Sequence, residues 1–166
     1  MICKMRCDQP FHRIMPALST FALLLIFATG CNTVRPLPPA DFQEPGWTVR
    51  QGQAVWKRSR HAPEVAGEIL IATKSGGRAF VQFSKNPFPL VIAQSTAETW
   101  QVEIPAQNKR YSGRGRPPAR LIFLYLPRMI AGEPPPRGWS WKKLSDEGWR
   151  LDNQSAGESL EVYFAQ

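Results

Sequence analysis

The chain has few of the residues that build metal sites and nucleophilic catalytic centres. Its 166 residues include three cysteines and two histidines, and Cys3, Cys7 and His12 all lie near the amino terminus. The remaining Cys31 and His61 are too few for a zinc site of clustered His and Cys ligands. A Ser-His-Asp triad would have to use His61, and no G-x-S-x-G sequence is present. We therefore expect no metal site, no cofactor and no enzymatic activity.

Long apolar runs are also missing. No stretch contains the roughly 18 apolar residues that a helix needs to cross a bilayer. Hydrophobic residues make up 43% of the chain and charged residues 20%, and nine Phe and six Trp supply bulky apolar surface. This composition excludes collagen, a coiled coil and a disordered chain. The length predicts one globular domain.

Residues 1–30 are predicted to be a lipoprotein signal peptide. Three basic residues precede the apolar run 17–29, which is the layout of a secretory leader. The end of this run and the two residues after it, Ala28-Thr29-Gly30-Cys31, resemble the lipobox of bacterial lipoproteins. That resemblance implies cleavage before Cys31 and alkylation of its thiol with a diacylglycerol that carries palmitate-type chains. The alternative is ordinary cleavage at small residues, which would leave Cys31 unmodified.

The residues after the predicted cleavage site indicate where the protein is held. In the sorting scheme of the lipoproteins that the leader resembles, an Asp after the cysteine favours the inner membrane, and here the residue is Asn32. We expect a lipid-anchored, periplasm-facing protein of the outer membrane, because two or three acyl chains anchor almost permanently. Residues 31–46, with the lipidated cysteine and a proline-rich stretch, are predicted to be an extended tether.

The body, residues 47–166, is predicted to be mainly β. Apolar residues alternate in Thr99–Ile104, where Trp100, Val102 and Ile104 share one face, and period two indicates half-buried antiparallel strands. The same reasoning gives strands at 47–58, 65–74, 78–85 and 90–97, around 139–141 and 149–151, and at 160–164. A hairpin turn is expected at Ser75-Gly76-Gly77.

One segment of the body has a different pattern. Residues 117–132 begin with prolines suited to a first helical turn and end at a glycine suited to a last one. They predict a helix broken or kinked at Pro127, which would cover the sheet. The apolar run 121–126 is equally compatible with a buried strand.

The charged residues give further candidates for a catalytic or binding site. A glycoside hydrolase would need paired carboxylates, and the candidates are Glu64, Glu68, Glu158 and Glu161. Glu158 and Glu161 would lie on opposite faces of a strand, which favours solvent-facing charges. Basic residues are concentrated at 57–60 and 109–120, and 112–116 resembles an RNA-binding RG segment. For an exported protein we expect no nucleic acid and consider anionic lipid headgroups or solvent instead.

Four stretches carry a family resemblance: 85–91, 99–102, 111–134 and 148–151. They contain, in order, prolines around Phe88, an aromatic-bearing strand, a Gly-Pro-Leu-rich segment ending in Gly-x-Pro, and a Gly-Trp strand. Together they resemble the LolA/LolB superfamily of lipoprotein carriers and receptors, and the chain looks like a shortened LolB-like receptor. The resemblance implies a curved antiparallel sheet forming an open half-barrel, a short helical lid, and an apolar hollow for acyl chains.

The resemblance also implies roles for individual residues. Acyl chains would contact the hollow's lining, for which the candidates are Trp100, Val102, Leu121, Leu124 and Leu126. Phe88 would insert into the membrane, or else be packed in the protein's own core. The expected function is binding of acyl chains or lipoproteins received from a periplasmic carrier protein, in lipoprotein transport or outer-membrane assembly. The alternative is an anchored structural or assembly module whose core is filled.

Overall fold

The computed structural model describes residues 35–165, and the predicted signal peptide and Cys31 lie outside them. These residues form one nine-stranded antiparallel sheet in the order β6-β5-β4-β3-β2-β1-β9-β8-β7. The strands are β1 (Trp47–Lys57), β2 (Glu64–Lys74), β3 (Arg78–Lys85), β4 (Phe88–Ser95), β5 (Thr99–Ile104), β6 (Lys109–Arg114), β7 (Ser140–Lys143), β8 (Gly148–Asn153) and β9 (Glu158–Phe164). β6 and β7 do not pair with each other, so the sheet is not closed. The prediction of a mainly β protein with an antiparallel sheet is confirmed.

Strand alternation gives the sheet one apolar face, which we call the inner face. Cross-strand pairs such as Ile69 with Phe83, and Val81 with Ala93, fill this face. Its fully buried members include Ala54, Ile69, Ile71, Val81, Phe83, Val91, Ala93, Val102, Leu151, Leu160 and Val162. The opposite, outer face carries mostly polar and charged residues, as period two requires of a sheet with one buried side.

Two glycines in the central strands allow close backbone approaches. A Cβ at Gly52 of β1 would collide with the carbonyl oxygen of Tyr163 in β9. A Cβ at Gly67 of β2 would collide with the carbonyl oxygen of Ser84 in β3, next to the register shift between Phe83 and Ser84. Glycine within a strand marks such sites because any side chain would push the neighbouring backbone away.

Residues 115–139, which we call the connector, run from β6 to β7 and contact the inner face at β2, β3 and β4. They contain a 3-10 turn at Ile122–Leu124 and a five-residue helix, α1 (Leu126–Ile130). The helix predicted over 117–132, with a break or kink at Pro127, is therefore wrong in extent, since only Leu126–Ile130 is α-helical. Pro127 lies in the first turn of α1, because the missing proline N–H is tolerated there, and the preceding residues make a tighter turn.

The connector is held by side-chain hydrogen bonds as well as by burial. The Tyr125 hydroxyl donates to the carbonyl oxygen of Pro117. The indole N–H of Trp139 donates to the carbonyl oxygen of Ala119 at 2.9 Å. All residues from Ile122 to Pro127 are buried. The continuous apolar run 121–126 thus belongs to a segment that covers the inner face of the sheet and is itself largely buried.

The described part of the proline-rich segment, residues 35–46, packs on the outer face. The Leu37 N–H donates to Oε1 of Gln101 at 3.0 Å, and Gln101 is only 2% exposed. The Phe42 ring contacts the Trp47 and Phe80 rings edge-on, at centroid distances of 5.5 and 5.1 Å. Residues 35–46, which were predicted to belong to an extended tether, therefore pack on the folded body. The rest of the predicted tether lies outside the described residues.

Candidate functional site

A hollow of about 320 Å³ lies on the inner face between the connector and the β4–β6 part of the sheet. Its apolar wall comprises Val91, Val102, Ile104, Leu121 and Phe123. The volume is at the lower end of the roughly 300–1,000 Å³ typical of small-molecule sites. The hollow can therefore take a slender apolar group such as one acyl chain.

The side chains of β4, β5 and β6 explain why space remains there. Val91, Val102 and Ile104 are β-branched and short, and they line the sheet side of the hollow. On the other side, the Phe123 ring is fixed by Trp56, with ring centroids 5.2 Å apart, and by Phe83. Rigid aromatic walls facing short aliphatic side chains keep the hollow from collapsing.

Charged groups surround the mouth of the hollow. Arg58, Arg120 and Glu158 line it together with Tyr111 and Trp56. The Trp56 indole N–H donates to Oε1 of Glu158 at 2.9 Å. Burial raises the pKa of Glu158, and the bond from Trp56 and the charge of Arg58 oppose that rise. The site thus combines an apolar interior with an entrance that carries two guanidinium groups and one carboxylate.

The mouth lies at one end of the sheet, which we call the Phe88 end. Antiparallel pairing brings the end of β1, the end of β5 and the start of β9 to the same side as the β3–β4 turn. Phe88 begins β4 at this turn and is 70% exposed, between Pro87 and Pro89. Phe88 is therefore not packed into the core.

The structure brings together only some of the residues predicted to contact acyl chains. Val102 and Leu121 line the hollow. Leu124 and Leu126 are 3% and 2% exposed, are members of the main core, and do not line it. Trp100 is half-buried and covers Gly113 of β6, also away from the hollow. The sequence pattern could not show which of these side chains line the hollow, because their directions depend on the fold.

Other lining residues carried no usable signal in the sequence. Arg58 and Arg120 lie in basic stretches that resemble solvated loops, and β6 itself was not predicted as a strand. Its sequence, Lys-Arg-Tyr-Ser-Gly-Arg, has no apolar alternation, because this edge strand is largely exposed on both faces. A polar edge strand of this kind is recognised only from its pairing with β5.

The remaining candidate carboxylates have different surroundings. Glu64 lies 3.7 Å from Lys57, and Glu161 forms a 2.6 Å ion pair with Arg150. Glu68 lines a separate depression of about 530 Å³ on the outer face, among Gln51, Gln53, Gln82 and Tyr163. That depression is larger than the hollow, and Leu70 and Phe164 line it beside the amide and carboxylate side chains. It lies on the outer face, away from the connector.

Two further observations concern residues 35–165. No group of three or more His, Cys, Asp or Glu side chains in this range could hold a metal ion. None of the helices in this range has the length and apolarity needed to span a bilayer.

No protein-family model matches the chain, and no curated protein matches it significantly.

Proposed function

We propose that this protein is a lipid-anchored outer-membrane protein that binds one acyl chain of a lipid or lipoprotein in the hollow beneath the connector. The observation that carries the proposal is the position of an apolar hollow at the same end of the sheet as the exposed Phe88. An acyl chain leaving a bilayer at that end would meet the mouth of the hollow. Burial would supply about 25 cal/mol for each Å² of apolar surface.

The architecture supports the proposed likeness to the LolA/LolB superfamily. An open antiparallel sheet with a short helical segment over its apolar face is the arrangement which that resemblance implies. In this proposal the sheet is the half-barrel, the connector is its lid, and the cargo comes from a periplasmic carrier protein. The protein would act by binding and transfer, without chemical conversion of the cargo.

The proposed anchor rests on residues outside the described range. Cleavage before Cys31 and lipidation of its thiol would leave six residues to Leu37, which is fixed on β5 through Gln101. At about 3.3–3.6 Å per residue, this link spans roughly 20 Å at most. The body would therefore stay close to the bilayer. The mass of the first mature peptide, with and without Cys31→Ala, tests the anchor independently of the hollow.

Acyl binding is tested with two leucine-to-aspartate variants. Leu121→Asp places a carboxylate in the wall of the hollow, whereas Leu144→Asp changes a residue that is 41% exposed in the β7–β8 turn. The full chain is extracted from membranes and its bound lipid is quantified by mass spectrometry. We expect acyl lipid on the wild type and on Leu144→Asp, and a loss of at least about tenfold on Leu121→Asp. Equal amounts of lipid on both variants would show that the hollow is not the acyl-binding site.

The membrane role of Phe88 is tested by attaching an environment-sensitive dye to Phe88→Cys. Val49→Cys is the control, because Val49 is 42% exposed on the outer face. With the chain in vesicles, we expect a blue shift of the dye at position 88 and none at position 49. A dye that remains in water at both positions would exclude insertion by the Phe88 end.

The anchored structural module is the second candidate function. The observation that favours it is the tight packing of Trp141, Trp149 and Phe164 in the other half of the inner face, with ring centroids about 5.5 Å apart. If the hollow were filled in solution by movement of the connector, no lipid would be extracted with any variant. Stable protein partners recovered without lipid would then identify this function.

A further inference from the structure

We propose that the hollow selects amphiphiles with an anionic headgroup, which Arg58 and Arg120 bind at its mouth. This inference rests on the proposed acyl binding and adds the chemical class of the ligand. The hollow has two kinds of surface: an apolar wall that suits a hydrocarbon chain, and an entrance where guanidinium groups are accessible. A ligand that satisfies both must carry a chain and a negative charge.

The two arginines are placed by the ends of neighbouring elements. Arg58 directly follows β1, and Arg120 directly precedes Leu121 in the connector. Both are exposed, so their guanidinium groups remain hydrated and can exchange water for a ligand oxygen. Because they come from two different elements and line one hollow, they can contact the same headgroup.

Within residues 35–165, neither arginine forms an ion pair. In contrast, Arg50, Arg110 and Arg150 pair with carboxylates at distances between 2.6 and 3.0 Å. The guanidinium groups of Arg58 and Arg120 therefore retain donors that a carboxylate or phosphate can accept in a two-pronged arrangement.

The sole carboxylate among the lining residues of the hollow does not cancel this charge. Glu158 already accepts the Trp56 N–H through Oε1, and the two guanidinium groups outnumber it. The mouth keeps a net positive charge, which favours an anion over a neutral or cationic headgroup. A fatty acid carboxylate and a phosphate headgroup share the chemistry that the site recognises.

The test compares two photoreactive probes on the full chain held in phosphatidylcholine vesicles. One is palmitate with a diazirine in its chain, and the other is the corresponding alcohol, which differs only in its uncharged headgroup. Neutral vesicles remove the general attraction of basic residues to an anionic surface. Mass spectrometry of digested protein locates the crosslinks. We expect palmitate to label the wall residues Val102, Leu121 and Phe123 about tenfold more than the alcohol does.

The arginines are tested by the double variant Arg58→Gln/Arg120→Gln. We expect about a tenfold loss of palmitate labelling and no change in labelling by the alcohol. The matched control is Arg114→Gln/Arg116→Gln, which removes the same charge from exposed arginines that do not line the hollow. The control should label like the wild type.

The outcomes separate the two proposals. If neither probe labels the wall, acyl binding itself fails. If both probes label it equally, in the wild type and in Arg58→Gln/Arg120→Gln, acyl binding stands and anionic selection is overturned. Acetate and inorganic phosphate are added as competitors without a chain. If either competitor displaced palmitate at a concentration equal to that of palmitate, the site would be a simple anion site. That result would contradict the combined recognition of chain and headgroup.

Discussion

The two halves of the inner face differ in how completely side chains fill them. Around β7–β9, Trp141 stacks on Trp149, and with α1 these rings leave no space for a water molecule. Around β4–β6, short β-branched side chains leave a hollow of about 320 Å³. Both halves belong to one antiparallel sheet under one connector. Side-chain volume, not backbone topology, therefore decides which half is core and which half can bind a ligand.

The largest expected effect comes from removing volume in the filled half. Leu160 is fully buried between its neighbours Trp56 and Leu151. Leu160→Ala should lower the free energy of unfolding by about 3–4 kcal/mol, because the rigid surroundings cannot close the new cavity. Ile104→Ala, at the edge of the existing hollow, should cost only about 1 kcal/mol. Urea unfolding measures both, and equal losses would contradict the difference between the halves.

The central strands between the halves should be nearly as sensitive. Gly67→Ala brings a Cβ against the carbonyl oxygen of Ser84, so the backbone must shift, at a cost of about 3 kcal/mol. The control, Gly76→Ala, has open space around it and a φ of +88°, so only its backbone conformation is penalised. That penalty is about 1 kcal/mol. Similar unfolding free energies for the two variants would show that β2 and β3 can separate freely.

Larger side chains should also have different effects in the two halves of the inner face. Val162→Phe overfills the packed half and should destabilise the fold by about 2 kcal/mol. Ile104→Phe directs a ring into the hollow and should change stability by less than about 1 kcal/mol, while acyl binding is lost. Thermal unfolding and lipid quantification on the same samples check both results. Strong destabilisation by Ile104→Phe would mean that the hollow is already filled.

The smallest effect concerns Glu158 and pH. Burial raises its pKa above the ordinary value of 4.5, so the folded state holds this proton more tightly than the unfolded state does. The resulting stability is present below the ordinary pKa and is lost as the pH rises through the raised value. The charge of Arg58, which directly follows β1, opposes this rise. Glu158 also lines a second, smaller depression, together with the charged side chains Lys57, Arg60, Arg150 and Asp152.

Glu158→Gln should therefore be more stable than the wild type near pH 7 and equally stable near pH 4. The glutamine keeps an acceptor for the Trp56 N–H, so the comparison isolates the charge. Urea unfolding at the two pH values gives the result. A variant that is less stable near pH 7 would show that the carboxylate is stabilised by Arg58 more than it is destabilised by burial.

Much of the sheet could be predicted from the sequence, because strands with one buried face alternate strictly. Thr99–Ile104 and 78–85 are predicted with the bounds that the structure has. The edge strand β6 could not be predicted, since Lys109–Arg114 is exposed on both sides and shows no alternation. The sequence of 117–132 predicts a helix broken or kinked at Pro127, but a continuous apolar run is compatible with any fully buried conformation.

The sequence indicated which strand and segment supply apolar residues to the candidate site, but not which of their side chains line the hollow. Apolar residues of β5 and of the segment around Leu121 were expected to contact a ligand, and Val102 and Leu121 do line the hollow. Leu124 and Leu126 are leucines like Leu121, yet their side chains lie in the core. The turn at Ile122–Leu124 sets the direction of these side chains. The packing of residues 35–46 depended on Phe80 and Gln101, which are distant in sequence.

The most direct test of acyl binding is a crystal structure of the chain with a fatty acid that carries bromine at the end of its chain. Anomalous scattering locates the bromine without any assumption about the ligand's conformation. The account predicts one bromine peak between Val91, Val102 and Phe123, and no peak in Leu121→Asp crystals. Bromine found only on the outer face, or an empty hollow with the fatty acid in excess, would contradict it.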